Sequence, residues 1–289
     1  MKHHFLVFLS VYAFASAAIA APPTSEIDRS DSPQLRSASF LIVSERTGEV
    51  LFEQNSDKAV PIASITKLMT AMVVLDARQR LAEPLTITSE DIDQLKGTGS
   101  RLRVGTRLTR EEMLNLMLMS SENRAASALA RNYPGGRQAF VEAMNIKARM
   151  LGLKDSRFAD SSGLDPRNLS SPRDLVRLVT ASASYPLIRE FSTSSERYVR
   201  LGSRMERFGN SNSLVRDPDW QVGLSKTGFI REAGRCLVMQ TWVRGEPVIM
   251  VLLNSEGTWT RTADAKRVRA WLETVGSDRL IALASGRGG

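Results

Sequence analysis

Ser64 and Lys67 stand three residues apart at the mouth of PIASITKLMTAMVV (residues 61–74), an otherwise apolar run. Residues i and i+3 share one face of a helix, so a hydroxyl and an amine would meet there. Three effects would weaken the lysine's hold on its proton. They are burial among Ile65, Leu68 and Met69, the positive end of its own helix, and a second cation close by. A neutral lysine can take the serine proton directly and so activate the hydroxyl as a nucleophile. The same helix end favours negative charge developing beside Ser64. The motif alone is weak: with 32 serines and 8 lysines in 289 residues, about one such spacing arises by chance. A helix cap at Ser64 and a lysine reaching to water explain it as well.

Two further stretches change the weight of the motif. MSSENRAASALAR (119–131) puts Ser121 and Asn123 in a polar gap between an apolar helix and the next one. GLSKTGFI (223–230) puts Lys226, Thr227 and Gly228 on an apolar strand. Each has a plain reading, an N-cap and an edge-strand charge. Histidine is absent from the rest of the chain: His3 and His4 sit in a segment that reads as a cleaved export signal. A Ser-His-Asp triad, a Cys-His pair and a histidine-ligated metal are thereby excluded from the mature protein, and neither a cofactor nor a metal is expected. Cys236 is the single cysteine, so no intrachain disulfide forms. Its strand-like setting, RCLVMQTW, points to a buried inert thiol.

Taken together and in this order, the Ser-x-x-Lys, Ser-x-Asn and Lys-Thr-Gly motifs resemble those of the penicillin-recognising acyltransferases. From Ala38 to Val275 the chain closely resembles the low-molecular-mass penicillin-binding proteins, and within them the D-alanyl-D-alanine endopeptidase subtype. LKGTGSRL (95–102), MSSENRAASALAR and KTGFIREAGRC carry the subtype likeness. The resemblance implies Ser64 as nucleophile and acyl carrier and Lys67 as its general base. It implies Ser121 as a proton relay to the leaving amine and Asn123 as the group that orients Lys67 and the substrate amide. Lys226 and Thr227 would hold a substrate carboxylate. Gly228 would leave room for an extended substrate beside the strand. The N–H groups of Ser64 and Phe229 would form an oxyanion hole, in which one lost donor typically costs about 2.7–4 kcal/mol.

The implied substrate is the peptidoglycan stem peptide, cut at the cross-link between D-alanine and meso-diaminopimelate through an acyl-serine, with β-lactam antibiotics as covalent inhibitors. A D-alanyl-D-alanine carboxypeptidase, a serine β-lactamase using Asp165 of GLDPRNLSS as its deacylating carboxylate, and a non-catalytic penicillin-binding sensor are the alternatives. The implied fold is α+β, penicillin-binding transpeptidase/β-lactamase-like.

The elements that must position these groups read as follows. Phe40–Val43 and Val50–Phe52 form a hairpin about Gly48. Thr109 and Glu112 have capping-box spacing before an apolar helix. Residues 123–131 and 136–150 read as helices, and Ser171 with Pro172 opens another. GLSKTGFI, RCLVMQTWVR and PVIMVLLNS read as strands, the last two joined at Gly245. A closing basic helix turns Val268, Trp271 and Leu272 inward. Strands at both ends with helices between predict an antiparallel sheet built from both termini with a helical insert.

Residues 1–20 read as a signal peptide: Lys2, His3 and His4, an apolar run from Phe5 to Ala17 too short to span a bilayer, then Ala18-Ile19-Ala20. Residues 21–37 read as a flexible leader, 38–275 as the peptidase domain and 276–289 as a short tail. Many family carboxypeptidases continue into a second β-rich domain and an amphipathic anchor, for which this tail is too short. The expected location is the periplasm, with no transmembrane segment in the mature chain. Net charge is +8, about +7 without Lys2. No aromatic-basic interleaving suggests nucleic acid, and an anionic polymer outside the membrane is the partner the charge favours.

Overall fold

The computed structural model describes residues 32–274. The expected signal peptide, most of the leader, Val275 and the tail lie outside the described residues. The chain opens with strands β1 (Ser37–Ser44) and β2 (Val50–Gln54), joined through Gly48 at φ 75°. Short β3 (Val60–Pro61) leads to a 3-10 turn, Ala63–Thr66, and then to helix α1 (Lys67–Asp76). After β4 (Pro84–Thr86) and β5 (Arg107–Thr109) come α2 (Arg110–Met119), α3 (Asn123–Arg131) and α4 (Gly136–Met150). The Thr109–Glu112 capping box closes both ways, as its spacing predicts. Then follow β6 (Leu169–Ser170), α5 (Pro172–Ala183), α6 (Pro186–Thr193), β7 (Glu196–Leu201) and β8 (Arg204–Gly209). Ser171 caps α5 by accepting from the Asp174 amide. The chain returns through β9 (Val222–Ile230), β10 (Gly234–Val243) and β11 (Glu246–Ser255) and ends in α7 (Thr260–Glu273).

Both ends of the chain build one five-stranded antiparallel sheet, ordered β2-β1-β11-β10-β9. Its two faces bury different clusters. Leu41, Val43, Val238, Ile249 and Val251 meet the helical insert, while Phe40, Ile42, Leu237, Met239 and Met250 meet Ala265, Val268, Trp271 and Leu272 of α7. Successive side chains point to opposite faces, so covering both explains why β10 and β11 read as continuous apolar runs. The mixed helix and antiparallel sheet is the α+β fold the sequence predicts.

Ser37, the last residue of the expected leader, is the first residue of β1. Asp264 of α7 accepts from the Arg36 and Ser37 amides and from Ser37 Oγ, which ties the first strand to the last helix. The β7–β8 hairpin and α6 are additions that the sequence reading leaves unassigned. Exposed, charged strands such as ERYVRL carry little alternation to reveal them. No helix among the described residues is long and apolar enough to cross a membrane.

Two features bear directly on the site. β9 is an edge strand whose outer side faces the insert, and it packs against the Ala63–Thr66 turn. The approach is close: a Cβ at Gly228 would lie 2.9 Å from Ile62 O and 3.0 Å from Ser64 N. Only the residue without a side chain permits that contact.

Candidate active site

The turn before α1 holds Ser64 half-buried at its centre, with Ala63 behind it at φ 47°. A positive φ is costly for a residue with a Cβ, of order 1–3 kcal/mol. Gly163 shows what holds it: a Cβ there would sit 1.9 Å from Ala63 O, so the 160–165 loop presses directly on the turn. Ser64 makes no capping bond to the helix. Its hydroxyl instead lies 2.7 Å from Lys67 Nζ.

Lys67 is completely buried. Its Nζ contacts three oxygens: Ser64 Oγ at 2.7 Å, Asn123 Oδ1 at 2.8 Å and the Ser162 carbonyl at 2.7 Å. Two of these, an amide oxygen and a peptide carbonyl, can only accept. A neutral amine has two N–H donors and one lone pair. If the two donors serve Asn123 and Ser162, the lone pair faces the hydroxyl of Ser64. Burial lowers the Lys67 pKa to about 7, against the upward pull of the Asp160 and Glu122 carboxylates. Near neutrality a large share of the amine is therefore free to accept a proton.

The groups around Lys67 are themselves fixed. Asn123, the first residue of α3, donates through Nδ2 to Thr98 Oγ1 at 3.0 Å, and Thr98 donates to Asp93 Oδ2 at 2.8 Å. Burial alone would raise the Asp93 carboxyl, but hydrogen bonds from Thr98 and from the Lys96 and Leu95 amides hold it below its ordinary value. Ser100 Oγ donates to Glu122 Oε2 at 2.7 Å. The LKGTGSRL stretch thus forms one wall of the site. On the other side, Asp160 accepts from the Ser162, Gly163 and Asp165 amides and aims the Ser162 carbonyl at Lys67.

A second buried lysine stands on the strand side. Lys226 Nζ donates to Ser121 Oγ and to the Thr227 carbonyl, both at 2.9 Å. No carboxylate pairs with it among the described residues. Burial first, then the charges of Lys67 and Arg261, drive its pKa well below the ordinary value. Repulsion between the two lysines is mutual, so a proton on one weakens the proton on the other. For Lys67 the fall comes from burial, opposed by the Asp160 and Glu122 carboxylates, and the expected contribution of a second cation is not among its causes. Ser121, at φ 63°, holds a strained conformation between α2 and α3 and turns its hydroxyl to Lys226. Thr227 Oγ1 donates to Ser211 Oγ at 2.8 Å. Arg261 of α7 donates to Gly228 O at 2.9 Å and braces the strand where it meets the nucleophile's turn.

Ser64, Lys67, Ser121, Asn123, Lys226, Thr227 and Gly228 therefore converge on one cleft between α1, α3 and β9. Phe229 is 53% exposed, with its ring under the Arg235 guanidinium, 4.7 Å from the ring centroid. Asp165 belongs to a turn. Its carboxylate accepts from the Arg167 amide at 2.8 Å and from the Arg167 side chain, whose hydrogen bonds hold it below the ordinary carboxylate value. Cys236 is buried, and burial pushes its thiol up to about 11, as fits an inert side chain.

Sequence reasoning missed the Ser162 carbonyl, Asp160, Thr98 and Arg261. A backbone carbonyl leaves no residue-type signal. Asp160 and Gly163 sit in a stretch, ADSSGLDPRN, whose turn chemistry is visible but whose target is not.

The profile of a family described as D-alanyl-D-alanine carboxypeptidase matches residues 26–257. A D-alanyl-D-alanine endopeptidase of Pseudomonas aeruginosa is 47% identical over 270 residues, covering 93% of this chain and 86% of the relative. One from Escherichia coli is 43% identical over 271 residues, covering 93% of this chain and 87% of that protein. Among solved structures, the Streptomyces K15 DD-transpeptidase superposes with a TM-score of 0.77 at 26% identity, covering 83% of this chain and 97% of that chain.

Proposed function

The chain belongs to the D-alanyl-D-alanine carboxypeptidase family of serine peptidases, and from that premise we propose that it is a D-alanyl-D-alanine endopeptidase acting on peptidoglycan cross-links. The observation that carries the reading is the three-way coordination of Lys67 Nζ by Ser64, Asn123 and the Ser162 carbonyl. The endopeptidase choice draws on the relatives at 47% and 43% identity, both named for that activity.

In this mechanism Lys67 is neutral and takes the proton of Ser64 as Oγ adds to the D-alanine carbonyl. The oxyanion would be met by the N–H groups of Ser64 and Phe229. Collapse breaks the C–N bond, and the proton that Lys67 took from Ser64 passes by way of the Ser121 hydroxyl to the leaving amine, which departs and leaves Lys67 neutral again. Water, deprotonated in turn by Lys67, then hydrolyses the acyl-serine and returns the proton to Ser64. Asn123 holds the base in place throughout.

The carboxylate beside the scissile nitrogen has a reason to bind at Lys226 and Thr227. An unpaired buried ammonium is costly, by several kcal/mol per ion, and an arriving anion removes that cost. Lys226 then keeps its proton, and repulsion leaves Lys67 as the neutral member of the pair. Substrate binding so assigns the two lysines their roles. A β-lactam carries a carboxylate in a comparable relation to its reactive amide and would acylate Ser64 in the same way.

The wall as substrate implies work outside the cytoplasmic membrane. With residues 1–20 read as an export signal, the periplasm is the proposed location.

The direct test is Ser64→Ala, assayed with a fluorescent penicillin and with purified cross-linked muropeptide dimers. Wild type should label one-to-one and convert dimers to monomers; the variant should do neither. Persistent labelling of the variant would displace Ser64 as nucleophile. Loss of terminal D-alanine without dimer cleavage in the wild type would replace endopeptidase by carboxypeptidase. Sustained turnover of a chromogenic cephalosporin would favour a β-lactamase.

A further inference from the structure

An open groove of about 780 Å³ lies between residues 100–106 and the turn joining β7 to β8. It begins where the reaction site ends. Ser100 lines it and also donates to Glu122, whose neighbour Asn123 holds Lys67. Arg101 and Arg103 stand on one wall, Arg204 on the other, and Glu206 is its acidic residue among those described. Arg101 is committed to structure: it donates to the Arg207 carbonyl and lies 3.9 Å over the Phe208 ring. Arg103 and Arg204 are exposed, and neither has a carboxylate partner among the described residues. The wall carrying Arg103 is anchored, with Arg124 donating to Leu102 O at 2.8 Å and the Gly105 amide to Ile87 O at 2.9 Å.

We infer that this groove is a second anchoring subsite, in which Arg103 and Arg204 hold carboxylates of a stem peptide whose scissile bond lies at Ser64. The inference rests on the reading of the site as a cross-link peptidase and specifies how the larger substrate is held. A cross-link joins two peptides, each with free carboxylates, so an enzyme that cuts it must hold charge on both sides of the bond. Lys226 accounts for one carboxylate. Ser100, which donates to Glu122 beside Asn123, and Arg103 line the same groove, so a peptide leaving the reaction site past Ser100 would meet the arginines. Guanidinium groups suit carboxylates because their paired N–H donors match two oxygens.

The test is the double variant Arg103→Glu/Arg204→Glu, with Arg103→Gln/Arg204→Gln as the milder form. Two readouts are taken: the rate of penicillin acylation, and KM for cross-linked dimer. Penicillin is too small to reach the groove, so its acylation rate should stay within about twofold. KM for dimer should rise roughly five- to twentyfold in the charge-reversed enzyme, the scale of a pair of exposed ion pairs lost and reversed. Added salt should raise the wild-type KM and leave that of the Gln variant nearly unchanged. A dimer whose remote carboxylates are amidated should behave with wild type as the native dimer does with the Gln variant. Unchanged KM with normal acylation overturns the subsite and leaves the peptidase reading intact. A parallel fall in acylation and dimer cleavage also overturns it, since the arginines would then only support the loop. Failure of wild type to label with penicillin at all would instead overturn the reading of the site.

Discussion

Lys67 and Lys226 are both buried, both depressed in pKa and both within reach of a serine hydroxyl, yet their surroundings differ in kind. Lys67 sits on the helical side with three oxygen partners and two carboxylates in its field. Lys226 sits on the strand side with a hydroxyl, a carbonyl and only cations in its field. The first environment is complete without substrate. The second is short of an anion. Burial leads the fall in pKa of both, and it is the neighbours that suit the first to the proposed role of base and the second to that of carboxylate socket.

The sharpest break in that comparison is Lys67→Ala. Removing the base should slow penicillin acylation by about 10²–10⁴-fold, measured by stopped-flow quenching or labelling time courses. A loss below about tenfold would mean that another group takes the Ser64 proton. Lys226→Ala comes next and should act on recognition. Losing a charge-assisted hydrogen bond of about 1.5–3 kcal/mol predicts a roughly 10–150-fold fall in kcat/KM for a carboxylate-bearing substrate. A substrate amidated at that carboxylate should lose far less. Equal losses on the two substrates would assign Lys226 to chemistry instead of binding. Smallest is Lys96→Ala, which removes the 2.6 Å ion pair between the Asn123-side wall and Glu232 at the far end of β9. Exposed pairs contribute about 0–1 kcal/mol, so acylation should change by less than about fivefold and thermal stability by only a few degrees. A larger effect would make that pair a gate across the cleft.

The two halves of the site were also unequally visible in the sequence. The Ser64–Lys67 spacing, Ser121 with Asn123, and Lys226-Thr227-Gly228 are side-chain signals, and the fold brings all seven residues together. The sheet was legible because a strand buried on both faces must be apolar throughout, as PVIMVLLNS is. The third partner of Lys67 was not legible, because it is a peptide carbonyl aimed by Asp160 across 95 residues of chain. Arg261 was hidden for a similar reason. In a helix with three arginines, nothing in the sequence separates the one that reaches Gly228 from Arg267 and Arg269, which pair with Asp264 and Glu273. The β7–β8 hairpin, which forms a wall of the basic groove, escaped because its strands are charged and half exposed.

The central claim is that Lys67 is an amine that loses its proton near neutrality, and penicillin acylation of Ser64 measured from about pH 5 to about pH 9 tests it most directly. A group whose pKa is lowered by burial is charged below that value and neutral above it. The rate should therefore climb with rising pH and level off, with a midpoint near 7. A rate still climbing at the alkaline end, as an ordinary lysine with its pKa of 10.5 would give, or a rate independent of pH, would contradict the account.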